Sequence, residues 1–203
     1  AVSLGVRDLA EAAQLRQAGI KAPIHVLFPI VPDEAPEAIR LGVSLTIDDL
    51  AQVRALNTAA RGKTVAVHVD IDFGLGRWGV PPRDLQNLIR GLAQNSVIKL
   101  EGLSAHIDYV PGKNAVEAEE KLTALKKLSA PYKKKNPSLI VHAANSSVFM
   151  DFPHHRFDVA CIGNLLYGIN PSSNRPAQLK NAWRFCARIL SLRDVRKGTS
   201  IGY

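Results

Sequence analysis

The run His68-Val-Asp-Ile-Asp-Phe-Gly-Leu-Gly-Arg-Trp-Gly79 packs residues that could do chemistry into one short stretch. Residues 64–71 alternate apolar and polar and then break into a glycine-rich turn that delivers Arg77. That pattern predicts a buried strand ending in a tight loop. Gly74, Gly76 and Gly79 would let the main chain approach a ligand closely. Arg77 offers a planar fork that can grip a carboxylate or a phenolate oxygen. Taken alone, such a loop is more often an ordinary turn with a surface arginine.

Three further groups fall at the ends of later apolar segments: His106 with Asp108, His142 with Asn145 and Ser146, and Cys161 with Gly163 and Asn164. Asp70 precedes Arg77 on the first. Each has a plain meaning. A strand-end histidine is commonly structural, Asn145-Ser146-Ser147 reads as a helix N-cap, and Gly163 can simply end a strand. Their coincidence points further. Backbone N–H groups at a helix start bind phosphate, and an arginine and a histidine would face the same mouth. Together they suggest a phosphorylated cofactor or substrate. His154 and His155 lie in a loop and receive no role, and no metal site is read from the sequence.

The elements that must position these residues alternate. Strands are predicted over 2–6, 24–28, 43–47, 64–71, 97–105, 139–144 and 157–162, and helices over 7–18, 33–41, 48–60, 81–93 and 115–128. Strands separated by helices make a parallel sheet. Seven such units fit an α/β fold of the (β/α)8 TIM-barrel type better than a three-layer sheet. Seven is one short of closure, and the chain opens on a strand, so a first βα unit is expected upstream. Residues 1–175 are assigned to this barrel, and 176–203 to a linker and the start of a β domain. In the latter, residues 183–193 alternate as an antiparallel strand would.

Composition narrows the class. The chain has 203 residues, 46% of them apolar and 22% charged, as in soluble globular proteins. No apolar run is long enough to span a bilayer, and the start carries no signal peptide. Two cysteines, Cys161 and Cys186, suggest a reducing, cytoplasmic setting. The net charge of +8 gathers partly at Lys126-Lys127 and Lys133-Lys134-Lys135 without interleaved aromatics. It reads as a solvated surface, not a nucleic-acid or membrane stripe.

Five ordered motifs resemble those of alanine racemase, the fold-type III enzyme dependent on pyridoxal 5'-phosphate. They are the His68–Gly79 run, Leu100-Glu-Gly-Leu-Ser-Ala-His106, His142-Ala-Ala-Asn-Ser146, Phe157-Asp-Val-Ala-Cys-Ile-Gly-Asn-Leu-Leu-Tyr-Gly168 and Lys197-Gly-Thr-Ser-Ile-Gly-Tyr203. Each is weak alone, and their order makes the set strong. The resemblance implies a homodimer with shared sites that interconverts L- and D-alanine by two-base proton transfer at Cα. That reaction would supply D-alanine for peptidoglycan. It implies that Arg77 bonds the cofactor's phenolic oxygen and helps hold the substrate carboxylate. His106 would pack beside the pyridine ring. Ser146, with the backbone of Gly163 and Asn164, would hold the phosphate, and Asn145 would support it. Tyr203 matches the tyrosine that moves the α-proton on one face.

Three departures accompany the match. The family's K-A-N-A-Y-G-H-G motif, with its cofactor-bearing lysine, is absent from these residues. Cys161 replaces an arginine that points at the pyridine nitrogen. Asp70 stands where many members carry a carbamylated lysine, and would support Arg77 with a built-in negative charge. The alternatives are a racemase for another amino acid, a non-catalytic barrel that binds pyridoxal phosphate, and an assembly scaffold.

Overall fold

The computed structural model describes residues 2–172 and 178–201. Six parallel strands form one sheet: β1 (Leu4–Val6), β2 (Ile24–Val26), β3 (Ser44–Ile47), β4 (Val65–Asp70), β5 (Ile98–Ser104) and β6 (Ile140–His142). They pair strictly in chain order. Right-handed crossovers in an order that never reverses put every connecting helix on one face. The sheet therefore curls into part of a barrel, and its other face becomes the interior. A doubly wound sheet would reverse its order at a switch point.

The helices that follow these strands are α1 (Leu9–Gln17), α2 (Ala35–Leu41), α3 (Leu50–Ala60), α4 (Leu85–Ala93), α5 (Ala115–Lys135) and α6 (Ser146–Asp151). Local chemistry sets their ends. Asp8 caps α1 by accepting from Glu11 N–H. Asp49 and Gln52 form a reciprocal capping box on α3. Gly42 closes α2 with a left-handed φ of 61°. Helix α5 outruns its predicted end and carries Pro131 in its interior. The basic run Lys133-Lys134-Lys135 thus lies in its last turn, where cations suit the helix dipole.

Two faces of the sheet bury different chemistry. Val65, Val67 and Val69 are buried on β4, and strand alternation sends them to the opposite side from His68 and Asp70. Ile24, Val26, Leu45, Ile47, Leu103 and Val141 join the valines in one apolar core with the helices. His25, Thr46, His68, Asp70, Ser104 and His142 are buried as well; hydrogen bonds link His25 with Thr46 and Asp70 with Ser104 across neighbouring strands, and His68 with His142 over the intervening β5. The interior face is therefore polar, where barrels of this type are usually filled by Val, Ile and Leu.

The predicted count of seven strands is met only in part. Past β6, residues 157–162 make a single parallel bridge, Ala144 with Ala160, in place of a strand. Residues 178–201 contain no helix or strand, and their apolar side chains are largely exposed, Phe185, Leu190 and Leu192 among them. The antiparallel strand expected over 183–193 is not formed among the described residues. An alternating segment becomes a strand only when a neighbour pairs its N–H and C=O groups.

Candidate active site

The residues that the sequence singles out lie in and beyond the C-terminal ends of β4, β5 and β6, and each has its own set of contacts. Gly74, Gly76 and Gly79 all adopt positive φ, at 105°, 72° and 103°. Asp72 organises this loop. Its carboxylate accepts from the N–H groups of Gly74, Leu75 and Gly76, while Asp48 from the end of β3 accepts from Gly79 N–H at 2.9 Å. Sequence reading missed both carboxylates. The signal was an aspartate two residues before a glycine, the usual start of a side-chain-to-backbone turn. Replacing Asp72 with Ala should leave the fold intact and cost on the order of 1 kcal/mol. Hydrogen exchange in residues 73–79 should quicken, and unchanged exchange there would show that Asp72 does not hold the loop.

Arg77 rises from that loop and lies over the Trp78 ring, 3.5 Å from its centre, and the Phe28 ring meets Trp78 at a tilt of 50°. Asp70 is buried and accepts from Ser104 Oγ at 2.6 Å. Burial pushes its carboxyl up to about 6, and Arg77 pulls only weakly in the other direction. Among the described residues no hydrogen bond or ion pair joins Asp70 to Arg77. His106 is held below its ordinary value first by burial and then by the charge of Arg77, so it is neutral and within electrostatic reach of that arginine. Asp108, beside it in sequence, is committed elsewhere in an ion pair with Lys121 at 2.6 Å.

The late strand ends form the second half. Asn145 does cap α6, accepting from Val148 N–H at 3.0 Å. Ser146 is buried, and its hydroxyl accepts from the N–H groups of Gly163 at 3.2 Å and Leu165 at 3.4 Å. A side chain at Gly163 would meet nothing within 4 Å, so open space adjoins Gly163, on the side away from this hydroxyl. Gly163 and Asn164 lead into the short helix Asn164–Tyr167. Cys161 lies nearby with its sulfur 3.5 Å from His142 Nδ1. Cys161 is exposed as a residue, yet the protein around its sulfur desolvates the thiol enough to raise its pKa, and the charge of Asp70 adds to the shift. Tyr203 lies outside the described residues.

Beneath the mouth sits a cluster the sequence reading did not name. His25, His68 and His142, from alternate strands β2, β4 and β6, bring ring nitrogens within 4.8 Å of one another. Burial is the main cause that pushes them down to about 2, 4 and 3, so all three are neutral. Period-two spacing placed His68 and Asp70 on one strand face. The meeting with His25 depended on curvature that no local pattern reports.

Fold and site together define a partial (β/α) barrel with its polar residues gathered at the C-terminal ends of the strands, where such barrels keep their active sites. The family model described as "Alanine racemase, N-terminal domain" matches residues 1–171. The chain belongs to this family. It is 36% identical over 197 residues to an alanine racemase of Syntrophobacter fumaroxidans, covering 95% of this chain and 52% of that protein. Among solved structures it is similar to an alanine racemase from Bacillus anthracis with bound L-Ala-P, with a TM-score of 0.78, 29% identity, and 90% and 49% of the two chains covered. An alanine racemase structure from Corynebacterium glutamicum gives 0.77 and 26%, covering 90% and 52%. The chain spans about half the length of the relatives it matches. No helix among the described residues is long and apolar enough to cross a membrane.

Proposed function

We propose that this chain is the cofactor-binding barrel of a racemase dependent on pyridoxal 5'-phosphate, acting on alanine. The observation that carries the reading is Ser146, whose hydroxyl gathers the Gly163 and Leu165 N–H groups and so orders a loop that has open space at Gly163. A hydroxyl and main-chain N–H groups at a loop suit a phosphate, and the donor set therefore fits the cofactor. Asn145 supports that shell by fixing the start of α6. Asn164 would add a main-chain donor, and Gly163 would add one by turning its N–H from Ser146 Oγ to the phosphate.

The remaining residues orient and exclude. Arg77 would bind the phenolic oxygen and the substrate carboxylate, its fork held flat by Trp78. His106, being neutral, can lie against an aromatic ring without adding charge. Asp70 acts on Arg77 through charge across a gap. Tyr203 would hold or take the α-proton on one face of the substrate, a role that a tyrosine near cationic groups can fill. Contributed from one subunit to the mouth of another, it would make the enzyme a homodimer. The cofactor, when bound, supplies an electron sink for the charge left at Cα. A boundary near residue 175 is supported by the family match, which ends at residue 171.

Pyridoxal phosphate titrated into the purified chain should bind saturably, and Ser146→Ala should weaken binding roughly tenfold, the worth of one charge-assisted hydrogen bond. Borohydride should fix no cofactor to residues 1–203, and these residues alone should not racemise alanine, because the family's lysine motif is absent from them. Absence of saturable binding, or equal affinity in Ser146→Ala, would overturn the phosphate assignment.

A further inference from the structure

Four residues make a continuous chain from the interior of the sheet to the mouth. Glu101 Oε2 lies 3.4 Å from His68 Nε2. His68 Nδ1 lies 2.9 Å from His142 Nε2. His142 Nδ1 lies 3.5 Å from Cys161 Sγ. Both imidazoles are neutral, so each has one N–H and one lone pair. That rule fixes every proton. The Glu101 carboxylate, at 3.4 Å in a charge contact and not a hydrogen bond, attracts an N–H and repels a lone pair, which places the His68 hydrogen on Nε2, facing Glu101. Its Nδ1 is then a lone pair, and His142 must donate from Nε2. The remaining His142 nitrogen, Nδ1, is a lone pair too, and it can be satisfied only by the Cys161 S–H.

His25 stands apart from this order. Thr46 Oγ1 donates to the Val26 carbonyl at 2.8 Å, so it accepts from His25 Nε2. His25 Nδ1 is then a lone pair, and the single Ser44 hydroxyl hydrogen, 3.1 Å from it and 3.3 Å from the Ile24 carbonyl oxygen, must turn to the ring and leave that carbonyl. Both nitrogens of all three rings therefore have partners, and a metal ion among them would have to break the network. Gly102 makes the chain possible, because a Cβ there would fall 2.3 Å from His68 Nδ1.

We propose that Glu101, acting through His68 and His142, holds the Cys161 thiol as a hydrogen-bond acceptor toward the barrel mouth, so that the ligand atom seated there must be a donor. The thiol's one proton is spent on His142, and sulfur lone pairs alone face outward. Buried Asp70, whose charge reaches Cys161, favours a positive group at the same spot. With the cofactor reading above, on which this step rests, the donor is a protonated pyridine nitrogen. That inverts the contact implied by the family's arginine, which donates and keeps the nitrogen bare. Glu101, His68 and His142 are positioning residues here. Cys161 is the one that touches the ligand.

Nitrogen-15 NMR of the histidines tests the relay without any cofactor. Wild type should show His68 and His142 as Nε2–H tautomers. Glu101 is partly exposed, so Glu101→Lys should be tolerated. An ammonium only donates, so that variant should reverse the whole chain and turn His142 into its Nδ1–H tautomer. Glu101→Gln, which can accept or donate, should give a mixture. A His142 Nδ1–H tautomer in wild type, or no change in Glu101→Lys, overturns the proposal. So does zinc(II) binding that shifts all three imidazoles together. Added pyridoxal phosphate labelled at its ring nitrogen should then read protonated in wild type and unprotonated in Cys161→Arg. A bare nitrogen in wild type overturns the polarity assigned to Cys161. Failure to bind the cofactor at all sinks the functional reading instead, and the tautomers still decide the relay.

Discussion

Acidification from pH 7.5 to 4.5 should cost this protein several kcal/mol of folding stability, far more than loss of surface ion pairs would. In the unfolded chain a histidine takes its proton near the ordinary value of about 6.5. In the fold, burial pushes His25, His68 and His142 down to about 2, 4 and 3. Groups with depressed folded values stabilise fully above the unfolded value and lose that stability as pH falls toward the folded one. His68 alone accounts for roughly 3 kcal/mol by pH 4. Asp70 works the other way: its folded carboxyl is pushed up to about 6, so it protonates in the fold first and returns roughly 2 kcal/mol by about pH 4.5. One carboxyl offsets one imidazole, and the other two set the sign. Urea unfolding at the two pH values reads the difference. His25→Gln, which keeps hydrogen-bonding capacity without a titrating ring, should flatten the slope. A stability independent of pH over this window would show that the histidines are not buried neutral.

How much of this could be read from the sequence follows from the range of the forces involved. The loop bearing Arg77 was legible because glycine requirements are local, and all three glycines do take positive φ. The N-cap at Asn145 was legible for the same reason. Helix α5 runs past residue 128 because its packed face continues through Leu128, buried Ser129 and Tyr132, which lie against the core. The strand expected over 183–193 failed because pairing is a property of two segments, and the pattern shows only one. The hydrogen-bond partner of Asp70 depends on strand register: Ser104 sits directly opposite it, while Arg77, on the loop that follows, reaches it through charge alone. Hardest to foresee was the histidine cluster, built from residues 43 and 74 positions apart that only a curled sheet brings together.

Gly102→Ala should be among the most damaging single-methyl changes in the chain. Its backbone needs no left-handed conformation, so the glycine is required by space alone. A Cβ would fall 2.3 Å from His68 Nδ1, 2.6 Å from its Cε1 and 2.8 Å from the Ile140 carbonyl oxygen. The carbonyl belongs to the β5–β6 ladder and cannot yield, and the ring is pinned by Glu101 and His142. Overpacking of this kind costs about 3 kcal/mol, equivalent to a fall in Tm of roughly 10 °C for a chain of this size. Gly163→Ala is the contrasting case: its Cβ meets nothing within 4 Å, so stability should hold while the added methyl enters the space offered to a phosphate. The cause can be separated from generic strand damage by a double-mutant cycle. His68→Ala removes the closest contacts, so Gly102→Ala should cost distinctly less in that background than in wild type. Strictly additive losses would mean that the ring yields freely and that Gly102 serves the strand ladder, not the histidine relay.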